Sequence, residues 1–193
     1  MILRELKLTD APSMLEWMHD ETISQQFRFD TMGQTQETVE AFIKKSMNDA
    51  ENKHFAIVDE SDEYMGTISL KHIDNNDKTA EYAIVLRKKA QGQGLARQAT
   101  RALLEKAFIE YGLNKVYLNV LSQNKRAIRF YESFGFKPEG EFKSHIMLSG
   151  EPKDLKWYAV FKKDYMSDDT DNVRMIKFNQ LGDERGHLVV MEQ

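Results

Sequence analysis

The chain has 193 residues, of which 41% are hydrophobic and 30% charged, the composition of one ordinary globular domain with room for an appendage. With 27 Lys and Arg against 31 Asp and Glu the formal net charge is −4, so nucleic acid is not an expected partner. The absence of cysteine excludes disulfides, thiolate metal sites and cysteine nucleophiles.

No apolar run approaches the roughly 18 residues of a membrane span. Residues 1–5 contain no apolar stretch of signal-peptide length, so a cytoplasmic protein with no membrane partner is expected. Residues 2–6 read as a first strand. Thr9 or Asp10 can cap a helix with Ala11, Met14, Leu15 and Met18 on one face. Thr35 caps a second helix whose stripe is Val39, Phe42, Ile43 and Met47. Strands at 54–58, 64–73 and 79–86, separated by the polar turns 59–63 and 74–77, predict an antiparallel meander. The loop Gln91-Gly92-Gln93-Gly94 then opens a helix over 95–110. Its apolar residues are Leu95, Ala99, Leu103 and Ala107, widened by Leu104 and Phe108, and Gly112 suits its stop. A strand at 115–121 and a helix at 124–134, closed by Gly135, follow. Two long strands, 136–148 and 155–161, are joined through 149–152. The run 167–172 has three aspartates and no apolar residue and reads as an acidic linker. The main domain is therefore expected over 1–166, with a C-terminal appendage at 173–193.

The stretch from strand 79–86 through the loop into helix 95–110 carries the chemistry. A helix N-terminus presents unpaired N–H groups and partial positive charge, and glycines before it let an anion approach the backbone. The arrangement predicts a phosphate or pyrophosphate cradle. Without Lys-Ser or Lys-Thr after the second glycine it is not a P-loop, and the preceding meander argues against a dinucleotide fold.

Gln91-Gly92-Gln93-Gly94-Leu95-Ala96 resembles the Gln/Arg-x-x-Gly-x-Gly/Ala signature of the GNAT acetyltransferases. Asn124-Lys125-Arg126-Ala127-Ile128-Arg129-Phe130-Tyr131-Glu132-Ser133-Phe134-Gly135-Phe136 resembles the family's Asn-x-x-Ala-x-x-x-Tyr-x-x-x-Gly-Phe block, in the family's order. The resemblance covers roughly residues 1–165. It implies an α/β GNAT fold, a mixed and mostly antiparallel sheet flanked by helices. Its strands four and five, here 79–86 and 115–121, splay apart around acetyl-CoA, while the acceptor enters near the N-terminal helices and the final hairpin. It implies that Gln91, Gly92, Gln93, Gly94, Leu95, Ala96 and Arg97 bind the cosubstrate, with Asn124 along its channel. It also implies an oxyanion donor on the backbone near Val85 or Leu86. Asn124 can equally be a helix cap.

Transfer of acetyl from a thioester to an amine needs a base, an oxyanion donor and a donor to the leaving thiolate. Tyr131 is the candidate thiolate donor, since reference phenol and thiol pKa values lie within about two units, although it also falls on the apolar stripe of its helix. Glu81, which alternation places with Ala83 and Val85 on one face of its strand, is the candidate base, with His72 as alternative. His145 in the final hairpin is the candidate acceptor contact. Lys88, Lys89 and Arg97 flank the cradle, either as ordinary surface charge or as attraction for the phosphates of CoA. The histidines show no metal-ligand spacing, so no metal is expected.

The segments 64–73, 144–146 and 154–157 resemble GNAT members that acetylate nucleotide-linked amino sugars for bacterial surface polysaccharide. Ribosomal-type protein N-terminal acetyltransferases share much of that pattern. Residues 175–178 and 182–192 resemble the opening of dTDP-sugar 3,4-ketoisomerases, cupin-type barrels whose barrel is absent here. The expected substrate is thus a small-molecule amine, a nucleotide-linked amino sugar first. The alternatives are a protein N-terminus, another small amine such as a polyamine or antibiotic, or no acceptor at all in a non-catalytic CoA-binding module. An orphan pair of strands in the appendage would suit pairing with the sheet edge of a second copy, a homodimer.

Overall fold

A computed structural model describes residues 2–166 except Gln26, Arg28 and Ser149. The expected linker 167–172 and appendage 173–193, with the ketoisomerase-like segment, lie outside the described residues. The elements in chain order are β1 (Leu3–Glu5), α1 (Ala11–Met18), α2 (Glu21–Ser24), α3 (Gln36–Ser46), β2 (Lys53–Val58), β3 (Tyr64–Asp74) and β4 (Thr79–Leu86). There follow α4 (Leu95–Glu105), β5 (Lys115–Leu121), α5 (Lys125–Glu132), β6 (Lys137–Leu148) and β7 (Glu151–Phe161).

Local sequence explains most boundaries. At the start of α3 the Thr35 hydroxyl accepts the Thr38 N–H at 3.4 Å and the Thr38 hydroxyl accepts the Thr35 N–H at 2.9 Å. Asp10 precedes α1 but does not cap it; its carboxylate takes the Arg4 guanidinium at 2.8 Å and the Lys7 N–H at 2.8 Å. The short α2 was not read from the sequence; the Asp20 carboxylate caps it through the Thr22 N–H at 2.8 Å. The stripe of α3 is narrower than expected. Val39 and Ile43 are buried, while Phe42 and Met47 stay 38% and 50% exposed. Val39 and Ile43 are the residues that join the core of α1, whereas the Phe42 ring rests on His54. The helix expected over 95–110 has that extent but ends in a π-helical turn, Lys106–Glu110. β7 begins at Glu151, four residues before the expected 155. Pro152 is tolerated there because it pairs only with β6, β5 first meeting β7 at Leu155.

Among the described residues seven strands form one mixed sheet in the order β1-β2-β3-β4-β5-β7-β6, antiparallel at every seam but β4–β5. One core, including Leu70, Tyr82, Leu103, Leu104, Phe108 and Leu118, lies between the sheet and α4. A second, including Met14, Trp17, Ile43, Ala56 and Val58, lies under α1 and α3 on the opposite face. The alternation expected in β4 holds: Tyr82, Ile84 and Leu86 pack on the first core and Val85 on the second. This is the α/β arrangement expected from the sequence.

The parallel seam is short. β4 and β5 pair only at Thr79–Lys115, Ala80–Val116 and Glu81–Tyr117. Beyond these rungs β4 remains paired to β3 up to Leu86, and β5 to β7 up to Leu121. The two strands therefore diverge as a fork.

Candidate active site

A cavity of about 570 Å³ fills the fork. Leu86, Gln91, Ala96, Asn124, Ala127 and Tyr131 line it toward α4 and α5; Phe27, Asn119, His145 and Trp157 line it toward the N-terminal helices and the β6–β7 hairpin. Gly92 and Gly94 have φ of +79° and +78°, the left-handed region in which a Cβ is strained. Arg97 and Gln98 donate their amides to the Gly94 carbonyl at 3.0 and 3.2 Å, while the amides of residues 92–96 have no acceptor among the described residues. Gly94 provides no side-chain cap. The donor set at the mouth of α4 therefore fits a diphosphate.

The other residues expected at the cosubstrate serve this loop in different ways. The Gln93 amide group donates to the Lys89 carbonyl at 2.8 Å and so braces the turn. Leu95 packs against the core under α4. Arg97 is tied down, donating to the Ser133 hydroxyl at 2.9 Å with its guanidinium 4.9 Å from the Phe134 ring centroid. Lys89 is paired with Glu63. The Asn124 Oδ1 accepts the Ala127 N–H at 3.1 Å, capping α5, and the residue also lines the cavity.

The free edge of β4 supplies a second donor. The Arg87 N–H donates to the Met65 carbonyl at 2.9 Å, and a Cβ built on Gly66 would lie 2.2 Å from the Val85 carbonyl oxygen. Val85 and Arg87 thus turn their polar groups toward β3. Strand alternation turns those of Ile84 and Leu86 to the other edge, where β5 has left. The Leu86 amide consequently faces the open seam, and a buried guanidinium holds the strand end. Arg87 binds the Tyr64 carbonyl at 2.8 Å, Glu63 at 3.0 Å, and Glu16. Burial opposes its charge, and the two carboxylates more than offset this, leaving its pKa raised.

Tyr131 sits among Tyr82, Phe130 and Phe136, with ring centroids 5.7, 5.6 and 5.9 Å away. Desolvation pushes its phenol up to about 12. The gap to a thiol is therefore wider than the reference values imply, so the phenol is better suited to donating a hydrogen bond to a thiolate than to surrendering its proton outright.

Glu81 occupies the last rung before the fork, its side chain 16% exposed. Its Oε1 accepts from Lys71 Nζ at 3.3 Å and from Asn119 Nδ2 at 3.2 Å. Glu81 does not line the cavity, whereas Asn119 does. His72 Nε2 lies 3.7 Å from Glu81 Oε2, but its ring is 68% exposed and away from the cavity. His145 lines the cavity with its ring centroid 5.0 Å from that of Phe142. Sequence reasoning missed Asn119, Trp157 and Phe27; strand alternation within β5 and β7 was the available signal for the first two. Trp157 pairs with Asn119 across the β5–β7 seam, and its buried indole N–H has no partner among the described residues.

Comparison with known proteins agrees with this geometry. The family described as Acetyltransferase (GNAT) domain matches residues 1–137. The spermidine N(1)-acetyltransferase of Vibrio cholerae is 27% identical over 129 residues, 67% of this chain and 75% of its own. The enzyme of the same name from Escherichia coli is 28% identical over 139 residues, 69% and 74% of the two chains. The crystal structure of the spermidine N-acetyltransferase from Vibrio cholerae in complex with CoA and spermine superposes with a TM-score of 0.79 at 25% identity, over 85% of this chain and 96% of that one. A forked parallel seam, an uncapped glycine loop at its mouth and the family match lead to one conclusion: this chain belongs to the GNAT family and is an acetyl-CoA-dependent N-acetyltransferase acting on an amine.

Proposed function

We propose that the acceptor is a ring-bearing small molecule with a primary amine, a nucleotide-linked amino sugar of the kind built into surface polysaccharide. One observation carries this reading: among the described residues lining the cavity none is Asp or Glu. The acceptor-side wall instead offers the aromatic faces of Phe27 and Trp157, with His145 nearby and Arg126 also among the lining residues. A linear polycation would gain most from carboxylates, whereas a ring-bearing acceptor gains from aromatic platforms. Glu81, which is bonded to the cavity-lining Asn119, is engaged by Lys71.

In the proposed reaction the neutral amine attacks the thioester carbon, the C–S bond breaks and the sulfur departs as thiolate. The Leu86 amide is suited to the developing oxyanion and the Tyr131 hydroxyl to the thiolate. The amine gives up its proton to water in the cavity, and Asn119, whose amide Glu81 accepts and so holds in place, is suited to orient that water. Its position in the open makes His72 the weaker candidate for this role. Acetyl-CoA as cosubstrate agrees with a cytoplasmic enzyme.

A second reading, spermidine as acceptor, rests on the names of the relatives. Acetylation of protein N-termini would need a channel between α3 and the final hairpin, and no described residue of α3 lines the cavity. Thiol release from acetyl-CoA, followed with UDP- and dTDP-linked amino sugars, spermidine and N-terminal peptides, tests these choices. The expected result is fastest turnover with a sugar nucleotide. A kcat/KM for spermidine about tenfold or more above that of every sugar would reverse the order of the two readings.

A further inference from the structure

β6 leaves its ladder beside the cavity. Phe142 pairs with Leu155 and Ile146 with Lys153, so three residues of β6, Lys143 to His145, stand against Asp154 alone. Ser144 at the middle has φ of +48°, a strained conformation for a non-glycine residue that persists only where its surroundings hold it. One carboxylate does so. Asp154 Oδ1 accepts the Ser144 N–H at 2.8 Å and Oδ2 accepts from Lys143 Nζ at 3.0 Å. The Ser144 N–H, and Lys143 after it, hold the Asp154 carboxyl below the usual carboxylate range. The Asp154 carbonyl also takes the Ser122 N–H at 3.0 Å, joining the bulge to the turn that leads into Asn124.

The bulge ends at His145, which reaches the cavity. Phe142 backs it, with ring centroids 5.0 Å from His145 and 5.8 Å from Trp157. Leu155 and Trp157 share the sheet face of Asn119, opposite the α4 core, the face that the proposed function gives to the acceptor. A bulge next to a site re-aims a side chain that a regular strand would misplace.

We infer that Asp154 is a positioning residue for acceptor recognition: by holding the three-residue bulge of β6 it fixes the His145 imidazole against the body of the acceptor. This extends the proposed function, since it concerns the same cavity, but it names a residue outside the cavity lining and a geometry that can be read without turnover.

Steady-state kinetics with the panel amine turned over fastest provide one test. Asp154→Ala is expected to raise KM for the amine about tenfold, with kcat and KM for acetyl-CoA changed about twofold or less. Asp154→Asn, which keeps an oxygen for the Ser144 N–H, should recover most of the loss. His145→Ala should match Asp154→Ala, and the double variant should be no worse than the poorer single one. Independent losses that multiply, or equal rises in KM for both substrates, would overturn the inference. Amide exchange at Ser144 and the His145 ring resonances provide the second test. Both should change in Asp154→Ala and stay near wild type in Asp154→Asn. If no panel amine is acetylated, the acceptor reading fails; these two observables still decide the inference, because an unmoved imidazole and a protected Ser144 amide in Asp154→Ala refute it.

Discussion

Tyr131 shows how burial sets what a side chain can do. Desolvation alone raises its phenol to about 12, so the group stays protonated throughout the range in which an amine loses its proton. The sign follows: the neutral form is favoured in the folded site, and it gives way only as pH rises through about 12. Tyr131→Phe is accordingly expected to lower kcat about tenfold to a hundredfold while CoA affinity changes little. The wild-type pH–rate profile should show no alkaline fall below about pH 11 that the Phe variant lacks. An alkaline limb near pH 9 removed by the substitution would assign Tyr131 a different titration and a different role. This residue was legible in the sequence because its motif spacing is local. The same is true of Gly92 and Gly94, whose positive φ demands glycine. Asn119 was not, because its partner Glu81 lies 38 residues away and meets it only through strand pairing.

At the level of elements the proposed reaction depends most on the end of β4, which carries the Leu86 amide. Gly66 on β3 is what lets that end sit close: a Cβ there would fall 2.2 Å from the Val85 carbonyl oxygen and 2.8 Å from a Leu86 methyl. The first contact is with backbone, which cannot swing away as a side chain could. Gly66→Ala should therefore cost about 1–3 kcal/mol of stability. At temperatures where the variant remains folded it should also lower kcat more than it raises KM for acetyl-CoA, since it displaces Leu86 and leaves the glycine loop alone. Denaturant unfolding and kinetics on one preparation would check both parts; unchanged stability would show that β3 and β4 part easily here. Periodicity located β4, α4 and β5 because each buries one regular face. It misjudged α3, where Phe42 stays outside the core, and the start of β7, where a proline is tolerated because β5 has not yet joined. Both errors concern what lies beside an element, which periodicity within that element does not encode.

On the scale of the whole molecule the sheet consists of two parts, β1-β2-β3-β4 and β5-β7-β6, joined at three rungs. The helix α4 packs across their common core, which contains Tyr82 from one part and Leu118 and Tyr158 from the other. A ligand wedged in the fork contacts both parts and replaces hydrogen bonds that divergence leaves unmade at Ile84 and Leu86. CoA at about a hundred times its Kd should add about 2.7 kcal/mol to stability. For a chain of this length that corresponds to a rise in Tm of about 5–10 °C. The nucleotide end by itself reaches the glycine loop but not the seam, so ADP should give a smaller rise. The two ligands should also differ in amide exchange. CoA is expected to slow exchange at Ile84 and Leu86, ADP to slow it at residues 92–96 without reaching those two. Equal thermal shifts from CoA and ADP, with no added protection on β4, would mean that the diphosphate is gripped but the thioester end does not enter the fork. The sheet's divergence would then be a feature of packing rather than the channel of the reaction.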